Sequence, residues 1–177
     1  MSVAPRRSTP AFLQVDAILG RLGGTQALTE VCRYLRGEFP HYRWIGIYRL
    51  DGETLVLDGW DGEQPTEHTR IPLDRGICGM AARENRTVIV DDVSADPAYL
   101  QCFLDTRSEI VVPIRDGDRV LGEIDIDGRE VGAYDRTDEA FLTGVAERLR
   151  PLLRPAVSAA GSTSSPPAGG ASPPSPP

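Results

Sequence analysis

Three cysteines, Cys32, Cys78 and Cys102, carry the softest nucleophilic chemistry in this chain. A thiolate can attack sulfur, pass through a sulfenic acid and pair with a second cysteine. Cys32 falls in a stripe at helical spacing with Leu28, Val31, Leu35 and Phe39, so it reads as core packing. Cys78 lies in Arg75-Gly-Ile-Cys-Gly79, a glycine-flanked turn at a helix start, where the helix dipole would favour its thiolate. Cys102 lies in the irregular stretch Tyr99-Leu-Gln-Cys-Phe-Leu-Asp105. The cysteine spacing matches no zinc pattern, and no metal or cofactor is expected.

The second chemical feature is a run of acids. In Leu121-Gly-Glu-Ile-Asp-Ile-Asp127 the residues alternate, so a strand would send Leu121, Glu123, Asp125 and Asp127 to one face. Gly122, Ile124 and Ile126 would take the other face, toward a helix-packed core. Glu109 opens the preceding strand and can join the acids. Carboxylates crowded in a cleft raise one another's pKa, which lets one of them keep a proton near neutrality and donate it.

These groups need a scaffold, and the hydrophobic pattern supplies one. Phe12, Val15, Ile18, Leu19 and Leu22 predict a first helix that Gly23-Gly24 ends. Thr25 is placed to cap a second helix, which Pro40 closes. The period then changes to two. Residues 44–50 and 54–57 predict a hairpin around Asp51-Gly52, and residues 109–114 and 119–127 another around Asp116-Gly117. Between the hairpins, residues 58–105 read as a long irregular insert with a short helix at 79–84 and a strand at 87–90. Asp135 or Thr137 can cap a last helix whose apolar face carries Phe141, Leu142, Val145, Leu149 and Leu152. The expected class is α+β: one antiparallel sheet, the N- and C-terminal helices on one face, and the insert covering a ligand pocket on the other.

The chain of 177 residues is long enough for one domain without disulfide staples. Its net charge of −7, with all 19 basic residues arginine, provides no basic stripe and argues against nucleic acid. No apolar run reaches the roughly 18–20 residues of a membrane span, and the N-terminus lacks a signal-peptide core. A cytoplasmic location is expected. Residues 1–9 read as a flexible N-terminus, 10–154 as the folded domain, and 155–177 as a disordered Ser/Pro/Gly/Ala tail.

Together these residues resemble a GAF domain, and within that family the free methionine-(R)-sulfoxide reductases. The resemblance rests on Trp44-Ile-Gly-Ile-Tyr48, Arg70-Ile-Pro-Leu-Asp-Arg-Gly-Ile-Cys-Gly79, Cys102 with Ser108-Glu-Ile-Val-Val-Pro113, and Gly122-Glu-Ile-Asp-Ile-Asp127. It implies a GAF-like fold and a thiol reductase. Cys102 would attack free methionine sulfoxide, Cys78 would resolve the resulting sulfenic acid, and a thioredoxin-type reductant would restore both thiols. The resemblance also assigns Glu109, Asp125 and Asp127 to proton supply and to the substrate's ammonium. It gives Trp44 and Tyr48, with Trp60 as a further wall, to substrate binding. A homodimer through the first and last helices is expected by analogy of fold. Some family members carry a further cysteine where this chain has His68 and Thr69, so the resolving step would rest on Cys78. Two other readings use the same residues: a small-molecule-binding sensor without catalysis, and a thiol redox switch.

Overall fold

The computed structural model describes residues 8–101 and 103–155. The expectations placed on residues 1–7, on Cys102 and on residues 156–177 lie outside them. Helices α1 (Ser8–Leu19) and α2 (Gly24–Glu38) open the fold, so α1 takes in Ser8 and Thr9 ahead of the expected boundary. Strands β1 (Trp44–Asp51), β2 (Thr54–Gly62) and β3 (Arg70–Pro72) follow, then α3 (Gly76–Glu84) and β4 (Val88–Val90). β5 (Ser108–Asp116), β6 (Arg119–Gly128) and α4 (Arg136–Leu153) complete the described elements. The six strands form one sheet in the order β3-β2-β1-β6-β5-β4, with every neighbouring pair antiparallel.

Both hairpins have two-residue loops, Gly52-Glu53 and Gly117-Asp118, and both glycines have φ of +60°. A positive φ at the first loop position matches the right-handed twist of the flanking strands, and glycine adopts it without a Cβ clash. One sheet face sends Ile45, Ile47, Ile110, Val112, Ile124 and Ile126 into a core with α1, α2 and α4. Burial of side chains of this size contributes about 1.5–3 kcal/mol each. Cys32 sits fully inside that core, as its stripe predicts. Asp135 caps α4 in a capping box with Asp138, which also accepts from the Tyr42 hydroxyl at 2.7 Å.

The structure corrects four local expectations. Residues 58–62 are not insert but the second half of β2, reached through a bulge that leaves Asp58 unpaired between Leu57 and Gly59. Gly59 is required there, because a Cβ would lie 2.7 Å from Leu28 Cβ and 2.8 Å from the Thr29 nitrogen on α2. The short strand β3 went unpredicted. Leu121 does not share the face of the acids: a second bulge pairs Arg115 with Val120 and Ile114 with Gly122, and Leu121 turns into the helix-side core. Finally, Gly23 rather than Thr25 is the N-cap of α2, and the Thr25 hydroxyl donates to Asp58 at 2.6 Å.

The face opposite the helices is covered by α3 and by Val93 and Phe103 from the segment after β4, while β4 itself joins the sheet as an edge strand beside β5. Tyr48, Leu55, Ile71, Ile77, Cys78, Val93, Phe103 and Val111 form a second core there. The acids lie under this smaller layer.

Candidate active site

Strand register fixes the site. On β6, Asp127 lies between Trp44 of β1 and Glu109 of β5. Two residues back, Asp125 lies between Gly46 and Val111; two further back, Glu123 lies between Tyr48 and Pro113. Alternation along three neighbouring strands therefore places four carboxylates on one face, and Glu109, Glu123, Asp125 and Asp127 are each no more than 3% exposed. Cys78 reaches them from the third position of α3. Its sulfur and the nearest oxygens of Glu109 and Asp125 all lie within 4.8 Å of one another.

The aromatic residues form a wall beside Asp127. Trp44 stacks on Trp60 at 6.4 Å between centroids and leans on Phe103 at 5.8 Å. Its indole fits only because Gly46 and Gly62 bear no side chains: a Cβ at either position would collide with the Trp44 ring. Tyr48 is fully buried and its hydroxyl donates to the His68 carbonyl at 2.9 Å. A shallow cleft opens along this wall, lined by Trp44, Phe103, Thr106 and Asp127 and rimmed by Arg43 and Arg129. A second, smaller hollow meets Cys78 and Glu109 from the other end.

The electrostatics are those of unbalanced buried acids. Oε2 of Glu109 and both oxygens of Glu123, Asp125 and Asp127 have no hydrogen-bond partner in good geometry among the described residues. Looser approaches bear on their titration only second to burial: the Cys78 thiol toward Glu123 and Asp125, Glu109 toward Asp125, and Thr106 toward Asp127. Burial, then the neighbouring carboxylates, holds Glu109 and Asp127 far above the ordinary carboxylate range. Burial also raises Glu123 strongly. Asp125 is pushed up to about 6, chiefly by burial, with Cys78, Glu109 and His68 opposing the rise. The environment thus separates proton holders from a more acidic neighbour, the arrangement that divides acid from base roles.

Cys78 departs from its expected chemistry. It begins a helix, but it is 5% exposed, and burial followed by the charges of Asp125, Glu123 and Glu109 pushes its thiol well above the ordinary range. Desolvation and three acids outweigh the dipole of a nine-residue helix, so Cys78 rests as a thiol rather than a thiolate.

Of the residues singled out in the sequence, Cys78, Glu109, Asp125 and Asp127 come together, with Trp44, Tyr48 and Trp60 on the same face. Cys102 is outside the described residues. Glu123 stands in the acid ladder read from the sequence but without a role there; its parity with Asp125 is the signal that it shares the site. Phe103 and Thr106, which line the cleft beside Asp127, carry no comparable signal.

A family model described as GAF domain matches residues 25–153. The chain belongs to the GAF domain family. This GAF domain is 31% identical over 137 residues to the free methionine-R-sulfoxide reductase of Escherichia coli, covering 77% of this chain and 78% of that one. Among solved structures it resembles the type II free methionine-R-sulfoxide reductase of Thermoplasma acidophilum. That match has 37% identity and a TM-score of 0.67, over 82% of this chain and 94% of that one. It also resembles the Neisseria meningitidis free methionine-R-sulfoxide reductase in complex with its substrate. There the identity is 30% and the TM-score 0.75, over 86% and 93% of the two chains. No helix among the described residues is long and apolar enough to cross a membrane.

Proposed function

We propose that this GAF domain reduces free methionine-(R)-sulfoxide to methionine. The observation that carries the reading is the buried face of four acids with a thiol among them, beside an aromatic wall. A zwitterionic amino acid brings an ammonium group that the unpartnered carboxylate oxygens can accept. Its methyl-sulfur end suits Trp44, Trp60 and Phe103. The names of the relatives support the same substrate.

The chemistry needs two sulfurs and a proton donor. The Cys102 sulfur attacks the sulfoxide sulfur, the sulfoxide oxygen takes a proton from a carboxylic acid, and Glu109 or Asp127 is held protonated for this task. The hydroxyl then passes from the substrate sulfur to the Cys102 sulfur as the transient S–S and S–O bonds break, methionine leaves, Cys102 is left as a sulfenic acid, and the proton Cys102 gave up on attack returns to the acid. The Cys78 sulfur then attacks Cys102, its proton passes to the more acidic Asp125, and the sulfenic hydroxyl leaves as water after protonation. The product is a Cys78–Cys102 disulfide, which a thioredoxin-type dithiol opens by exchange. We place the enzyme in the cytoplasm as a homodimer joined through α1 and α4, where Leu13 is 66% exposed.

A single-turnover experiment tests this. The fully reduced protein, mixed with one equivalent of substrate and no reductant, should release one equivalent of methionine and form a Cys78–Cys102 disulfide. Cys78→Ser should still release methionine but leave a trappable sulfenic acid on Cys102. A disulfide formed with peroxide but never with substrate would indicate a redox switch instead. Binding without release of methionine would indicate a sensor.

A further inference from the structure

We propose that Cys78, Glu109 and Asp125 form a binding site for zinc or a similar borderline divalent cation, and that this cation excludes substrate. The three ligand atoms lie within 4.8 Å of one another. Zinc bonds of about 2.0–2.2 Å to oxygen and 2.3 Å to sulfur put tetrahedral ligands about 3.5 Å apart, so side-chain torsions have at most roughly 1.3 Å to close. The site has no internal cation: no arginine or histidine forms an ion pair with Glu109, Glu123, Asp125 or Asp127 among the described residues.

A second observation points to a ligand rather than to a self-contained cluster. Seven oxygens of these four acids are buried without a good hydrogen-bond partner. Glu123 lies outside this group of three, so the fourth tetrahedral position is left to water. One thiolate with two carboxylates selects the class of cation. Magnesium and calcium demand six or more hard oxygen ligands and gain nothing from sulfur, whereas zinc and cobalt(II) accept a mixed tetrahedral set. Binding must displace the thiol proton and any shared carboxyl proton, so affinity rises with pH.

The cation would occupy the oxygens assigned above to the substrate's ammonium and would mask the resolving sulfur. That consequence rests on the proposed reductase activity, but the binding itself does not. Cobalt(II) titration of the full-length reduced protein, without substrate or thiol, separates the two. The expected result is one equivalent bound, with a near-ultraviolet thiolate-to-cobalt band and strong visible bands of tetrahedral cobalt, all displaced by zinc and unaffected by magnesium. The thiolate band should vanish in Cys78→Ser and persist in Cys32→Ser and Cys102→Ser. Asp125→Asn, which keeps its shape and relieves charge, should fold and weaken binding at least tenfold. Absence of the band in the wild type, a band that follows Cys102 rather than Cys78, or undiminished affinity in Asp125→Asn would each overturn the site. A protein that shows the band but never reduces substrate would keep the metal site and lose the proposed activity.

Discussion

Neutralising Asp125 should make the ligand-free protein more stable above neutral pH while weakening its site. A buried carboxyl whose folded-state pKa is raised binds more protons in the folded than in the unfolded chain. Its stabilisation is complete below the unfolded pKa and is lost as pH rises through the folded one. For Asp125 that window runs from the ordinary value of 3.8 to about 6. With about 1.4 kcal/mol lost for each tenfold change in proton affinity, the loss is about 3 kcal/mol. Glu109, Glu123 and Asp127 are raised in the same direction and extend the fall to higher pH. Asp125→Asn removes the first charge to appear and relieves the repulsion on Glu109 and Asp127. Wild type and variant should have similar stability near pH 4. By pH 7.5 the variant should be ahead by about 3 kcal/mol, or roughly 6–12 °C in Tm for a domain of this size. Urea unfolding across this pH range, without substrate or metal, reads the difference directly. Parallel curves, or a variant less stable at pH 7.5, would refute the electrostatic reasoning. Such a trade of stability for a charged site is expected where buried acids await a cationic partner.

Other substitutions probe separate parts of the site. Glu109→Gln and Asp127→Asn should each lower kcat/KM by about 10²–10⁴ with folding intact, the usual range for a lost proton donor, as measured by initial rates and circular dichroism. Gly62→Ala should push the Trp44 indole out of its seat, changing the near-ultraviolet circular dichroism and raising KM more than it lowers kcat. Asp138→Ala removes the capping box of α4 and the acceptor of the Tyr42 hydroxyl, and should cost about 1–3 kcal/mol in urea unfolding without altering KM.

Much of this was legible in the sequence because period-two patterns survive folding when a strand is regular. Asp125 and Asp127 kept their predicted face, and Glu123 with them. Leu121 broke parity because a bulge inserts one residue, and nothing in its immediate sequence marks that bulge. Asp58-Gly59 read as the start of the irregular insert, yet Gly59 serves close packing of α2 on β2. The three-residue β3, with Ile71 its only buried side chain, is too short to show a period. The chemistry of Cys78 was misjudged because sequence reveals a helix start but not burial among acids. The seat of Trp44 was hidden for a related reason: Gly46 and Gly62 lie apart in sequence and meet the same ring only through strand register.

The most direct measurement of the central claim is consumption of free methionine sulfoxide by the purified reduced protein with a dithiol reductant, followed by chiral chromatography. The R epimer should disappear with matching formation of methionine, the S epimer should remain, and Cys102→Ser should be inactive. An unchanged R epimer in the wild type, or consumption equal to that of Cys102→Ser, would contradict the account.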